Sequence, residues 1–123
     1  MTSKKKNRTK DEKTPPITGY RIVWTFVMFD LPTATPEQRR GYTLFRNLLL
    51  EQGFMMMQYS IYVQCSLGEE RATSLTRIIK EGLPDDGEVR IFEVTDKQYS
   101  RMLCFVGKMP KPTEEPPEQL EFF

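Results

Sequence analysis

Residues 20 to 32, Tyr-Arg-Ile-Val-Trp-Thr-Phe-Val-Met-Phe-Asp-Leu-Pro, constrain the fold more than any other stretch of the chain. Ile22, Trp24, Phe26 and Met28 alternate with Val23, Val27 and Phe29. A period of two with both sides apolar describes a central strand covered on both faces. Pro32 stops the strand, and Asp30 is left as a lone carboxylate where the strand emerges from its core.

The punctuation that follows is equally definite. Thr35-Pro-Glu-Gln38 reads as a helix start, with Thr35 as N-cap, Pro36 in the first turn and Gln38 closing a capping box. The helix is expected to run to about Gln52, with Gly53 ending it. Tyr42, Leu44, Phe45, Leu48 and Leu49 form its apolar arc, and Arg39, Thr43 and Arg46 line a polar strip at i, i+4, i+7. Residues 54 to 65 alternate as strand, either one kinked strand or two that reverse near Gln58 to Ser60, where no Gly or Pro marks a turn. Ser66-Leu-Gly-Glu69 predicts the capping box of a second helix, with Ala72, Leu75, Ile78 and Ile79 buried and Gly82 and Pro84 ending it. After the turn Asp85-Asp86-Gly87, two more strands are predicted, Glu88 to Val94 and Arg101 to Val106. This order fits an α+β, ferredoxin-like sandwich, an antiparallel sheet with two helices on one face.

Three segments frame that domain. Residues 1–19 form a basic leader, 20–107 the ferredoxin-like domain, and 108–118 a linker marked by Pro110, Pro112, Pro116 and Pro117. Residues 119–123, Gln-Leu-Glu-Phe-Phe, predict a short C-terminal strand for a sheet edge, with Leu120, Phe122 and Phe123 as a subunit contact.

A single domain of this length has a small core, which makes a partner subunit plausible. Net charge is +1. Of the eighteen basic side chains, six lie in residues 1–13 and one is Lys111; of the seventeen acidic ones, two lie in the leader and four follow Lys111, leaving eleven of each in residues 14–108. Anion binding by the body must therefore come from local clustering. The chain contains no His, which removes Ser-His, Cys-His and His-containing zinc chemistries. Cys65 and Cys104 stand in strand-like runs and read as buried, reduced thiols. No apolar run reaches membrane-spanning length, so no membrane partner and a cytoplasmic location are expected.

Val27-Met-Phe-Asp-Leu-Pro-Thr33, the Arg39-Arg40 helix, Gly53-Phe54 leading into Gln58-Tyr-Ser-Ile-Tyr62, and Val94-Thr-Asp-Lys-Gln-Tyr-Ser-Arg-Met102 together resemble the small CRISPR-associated adaptation protein Cas-two over roughly residues 20 to 106. The pattern is most similar to members from systems with a single large RNA-guided nuclease. The resemblance implies a homodimer that bridges two dimers of the CRISPR integrase, Cas-one, and holds duplex DNA for spacer acquisition. Arg39, Arg40 and Arg46 would then contact phosphates, because a guanidinium pairs two phosphate oxygens and stays charged; the alternative is a solvated helix face. Arg71 and Arg77 are weaker candidates, Arg77 having Glu81 at i+4.

Some members of that family are described as metal-dependent nucleases. On that reading Asp30 of two protomers would face each other across the dimer axis and hold Mg2+, which takes oxygen ligands and keeps several waters. The alternative is an Asp30 that caps the turn before Pro32. Tyr59, Tyr62 and Tyr99 suggest stacking on single strands, weighed against packing. The Met55-Met56-Met57 run reads as adaptable core or interface filling. A third reading is a small-ligand-sensing regulatory dimer on the same fold. The scaffold is favoured, with Mg2+-dependent endonuclease activity as the alternative.

Overall fold

The computed structural model describes residues 21–117. The basic leader, residues 1–19, and the predicted contact Leu120, Phe122 and Phe123 lie outside the described residues.

The apolar run forms β1 (Ile22–Asp30). It is paired on both sides and antiparallel to both neighbours, with β3 (Ile61–Leu67) from Ile22↔Leu67 to Met28↔Ile61 and with β4 (Glu88–Thr95) from Val23↔Thr95 to Asp30↔Glu88. With β2 (Met55–Gln58) on the far side of β3, the sheet order is β2-β3-β1-β4. The helices α1 (Pro36–Glu51) and α2 (Glu69–Glu81) pack on one face of this sheet, and the fold is ferredoxin-like. Val27 and Phe29 of β1 meet Phe45 and Leu49 of α1 and Leu75 and Ile79 of α2 in the larger core. On the opposite face Trp24, Phe26, Val63 and Tyr99 form a second, smaller core.

Both ends of α1 follow the sequence signals. Thr35 Oγ1 accepts from Gln38 N at 3.1 Å while Gln38 Oε1 accepts from Thr35 N at 3.1 Å. At the other end Gly53 N donates to Leu50 O and Phe54 N to Leu49 O, each 3.0 Å, with Gly53 at φ 90. This double closure requires the left-handed backbone that glycine adopts without strain. Leu44, predicted on the buried arc, is 64% exposed.

Residues 54 to 65 contain two strands. They reverse through Tyr59 and Ser60, and Ser60 takes φ 65 although it is not glycine. A second correction concerns α2. Its N-cap is Gly68, with no side-chain cap, whereas Ser66 is buried within β3 opposite Val23. The ladder from Met28 to Ile22 continues through Ser66 and Leu67, and its pairing outweighs a single capping bond.

The predicted strand 101–106 is shortened to β5 (Cys104–Val106), which pairs with β6 (Met109–Lys111) as a separate hairpin at the start of the expected linker. Ahead of it lies a short helix, α3 (Asp96–Ser100), opened by a capping box between Thr95 and Gln98. This turn carries Tyr99 onto Trp24, with ring centroids 3.7 Å apart and planes 3° from parallel. Asp96 accepts the Trp24 indole N–H at 2.8 Å. Beyond the hairpin, Tyr99 donates to Glu114 at 3.0 Å and Thr113 to Met102 O at 2.8 Å, fastening residues 112–116 over the second core. No helix among the described residues is long and apolar enough to cross a membrane.

Candidate nucleic-acid interface and strand-end carboxylate

Asp30 is the last residue of β1 and is exposed. Alternation along the strand places it with Trp24, Phe26 and Met28, on the sheet face opposite α1 and α2. Its backbone is held from two sides. Phe29 N donates to Ser60 O at 3.1 Å, tying the β2–β3 turn to the end of β1. Gly87, at φ +93, packs so closely that a Cβ there would stand 2.7 Å from Asp30 O. The Asp30 side chain accepts no hydrogen bond from a described residue, which argues against its alternative role as a turn cap.

Directly across the ladder from Asp30 stands Glu88, which is ion-paired to Arg90 at 3.0 Å. Met28, Asp30, Tyr59, Ser60, Glu88 and Arg90 line a cleft of about 310 Å³. Its formal charge is two carboxylates against one guanidinium. With Arg90 engaging Glu88, Asp30 is the cleft's acid without an ion pair among the described residues. Among the described residues no group of three or more acidic, Cys or His side chains is arranged to hold a metal ion. Mg2+ prefers six oxygens in near-octahedral array. One protomer thus offers a foothold at Asp30 and Glu88; water, substrate oxygens or a second protomer would have to complete the shell.

The arginines belong to the helix layer. Arg39, Arg40 and Arg46 are all exposed on α1. Arg39 is partly committed, its Nη1 donating to Thr33 O at 3.1 Å and Ala34 O at 3.2 Å. Arg40 and Arg46 make no ion pair with a described residue, and nothing joins the three to Asp30. Arg77 on α2 is exposed and forms no ion pair with Glu81, while Arg71 is half-buried.

Cys65 is a poor nucleophile by placement. Cys65 and Cys104 are free and half-buried. Burial, with a smaller contribution from the Asp96 carboxylate, pushes the Cys65 thiol up to about 12. Burial also raises the Tyr99 phenol, as does its hydrogen bond to Glu114.

Residues 23–102, from β1 through α3, match the family profile of the CRISPR associated protein Cas2. A protein of Paracidovorax avenae named CRISPR-associated endoribonuclease Cas2 is 42% identical over 87% of this chain and 99% of its own length. Proteins of the same name from Flavobacterium psychrophilum and Parvibaculum lavamentivorans are 41% and 44% identical, over 92% and 82% of this chain and 98% and 100% of their own lengths. The chain belongs to the Cas2 family.

In this Cas2 family member the matched region contains Asp30 and all three α1 arginines, together with cleft residues the sequence reading passed over. Glu88 and Arg90 were missed because their proximity to Asp30 depends on strand register. The available signal was the Asp85-Asp86-Gly87 turn, which fixes where β4 begins and hence which residue lies opposite the end of β1. The three tyrosines, equivalent in sequence, separate clearly: Tyr62 is 1% and Tyr99 3% exposed, but Tyr59 is 84% exposed at the lip of the Asp30 cleft.

Proposed function

We propose that the chain is a homodimeric scaffold subunit of CRISPR spacer acquisition, which holds duplex DNA through phosphate contacts and bridges the integrase. The observation that carries the DNA part is the pair of exposed arginines, Arg40 and Arg46 on α1, that form no ion pair among the described residues, with Arg39 contributing its remaining donors. Contacts of this kind read the backbone and not the bases, and they weaken with salt. The dimer is supported by apolar side chains left in solvent by one protomer: Met55 at 46% and Phe92 at 42% exposed on the sheet, and Phe105 at 57%, Val106 at 63% and Met109 at 70% on the hairpin. Exposed apolar side chains of this size favour a subunit contact. Integrase bridging is inferred from family membership.

The test is size-exclusion chromatography with light scattering of the protein, its cognate integrase and a short duplex. A ternary complex that survives Asp30→Ala and is lost in the double variant Arg40→Ala/Arg46→Ala supports the scaffold. A complex indifferent to both arginines removes its DNA-binding basis.

A second reading, Mg2+-dependent cleavage of RNA or DNA phosphodiesters, is favoured by the unpaired Asp30 at the end of the apolar sheet face, where a two-fold axis could bring two copies together. The relatives' name, endoribonuclease, supports it further. In this reading Asp30, with Glu88, would hold the ion, and the bound metal would activate water and neutralise charge on the phosphate. Mg2+-dependent cleavage abolished by Asp30→Ala is the expected result; cleavage that persists in the variant would come from another source.

A further inference from the structure

Tyr59 is the largest side chain at the mouth of the Asp30 cleft, and the residue is 84% exposed. It reaches that place through a costly turn. Ser60 holds φ 65, a region that non-glycine residues occupy at a cost. Such a conformation persists only where the surroundings impose it. Here the β2–β3 pairing on one side and the Phe29 N to Ser60 O bond of 3.1 Å on the other do so. The turn therefore presents a rigidly based aromatic ring beside an unpaired carboxylate. No aromatic neighbour stacks on that ring among the described residues, whereas Tyr62 and Tyr99 are buried and committed to packing.

The cleft below the ring holds one cation, Arg90, for an anionic group, and its two carboxylates would have to be offset by a divalent cation bound with a phosphodiester. Only one terminal nitrogen of Arg90 is used by Glu88, and a guanidinium carries five N–H donors. Ser60 lines the same cleft from the β3 side of β1. A planar group on Tyr59 and an anion at Arg90 and Ser60 are the two halves of a nucleotide. A paired base would have both faces covered by its own stack, so the ring can accept only a base that has left one.

We propose that Tyr59 is a stacking platform for one unpaired base of a single-stranded polynucleotide whose backbone runs through the Asp30 cleft. The inference rests on the second reading above only in taking a polynucleotide as the occupant, and it requires no cleavage.

The test is fluorescence anisotropy of end-labelled oligouridylate, oligothymidylate and a duplex of equal length, with Mg2+ present and in an Asp30→Asn background so that the probe stays intact. Tyr59→Ala is expected to weaken binding of the single strands about five- to 150-fold, the loss implied by one stacked base. Tyr59→Phe, which keeps the ring, should bind within about twofold of the parent, and duplex binding should be unchanged. The proposal is overturned by any of four results: no single-strand binding by the parent, equal binding by Tyr59→Ala, an equal loss on the duplex, or a fall in mass on light scattering that makes Tyr59 a subunit contact. Cleavage is scored separately with Asp30 intact. Ring-dependent binding without cleavage would sink the nuclease reading and leave this one standing.

Discussion

Gly87 does at the residue scale what no side chain could. Its φ of +93 is a left-handed value, and its α-carbon lies against the Asp30 carbonyl with no room for a Cβ. Gly87→Ala is expected to lower stability by about 1–3 kcal/mol through strain and crowding and to shift the Asp30 backbone, both read from a urea midpoint and from the Asp30 amide resonance. Gly107→Ala is the control: its φ is +60, but a Cβ there meets nothing within 4 Å, so its cost should be smaller and Asp30 undisturbed. Equal effects would deny Gly87 a positioning role. Cys65 gives a second expectation. Its thiol has an ordinary value of 9.0 and is pushed up to about 12, so the folded protein holds that proton where the unfolded chain has released it. Stability from this group is complete below pH 9 and declines from there towards pH 12. The fall in Tm between pH 9 and 11 should therefore be shallower in Cys65→Ala than in the parent; identical slopes would show that Cys65 is solvated. Asp30 itself was legible in sequence, because a charge ending an apolar strand is a local pattern. Glu88 was not, because opposition across a ladder is a property of two segments and their register.

At the scale of elements, capping signals succeeded where nothing stronger opposed them. Thr35 with Gln38 opens α1 and Gly53 closes it. Ser66 with Glu69 carried the same kind of signal and lost to the β1–β3 ladder, which continues through Leu67. The box at Thr95 and Gln98 was present in sequence in the short stretch between two predicted strands; it starts a helix only five residues long. The element matters because it seats Tyr99 on Trp24. Thr95→Ala removes the N-cap acceptor and is expected to cost about 1 kcal/mol. It should also loosen the stack and shift the emission of Trp24, the one tryptophan in the chain. Unchanged emission with lower stability would mean that Tyr99 is held by its bond to Glu114 alone. The hairpin of β5 and β6 was illegible for a different reason: it pairs only with itself among the described residues, and Met109 is followed by Pro110, which reads as a break.

For the whole molecule, the decisive fact is that the body is neutral while three of its eight arginines, Arg39, Arg40 and Arg46, are gathered on α1. With eleven charges of each sign in residues 14–108, the folded body has no net charge to draw DNA from a distance, so the DNA binding proposed above would depend on direct phosphate contacts. Each such contact to duplex DNA contributes about 0.9 to the slope of log K against log salt. In a homodimer every substitution is made twice. Arg40→Ala should therefore lower that slope by about 1.8 when both protomers touch the duplex, and by about 0.9 when one does; Arg46→Ala should behave alike. The size of the change thus reports the geometry of the assembly. The exposed Phe105 provides the cross-check. Phe105→Glu places a charge on the hairpin, costs an isolated protomer little, and should dissociate a dimer that buries this strand. Light scattering at protomer mass, together with an Arg40→Ala effect reduced to about 0.9 in the same variant, would tie DNA binding to dimerisation through the hairpin. A slope that ignores Arg40 in both backgrounds would move the DNA off α1 altogether.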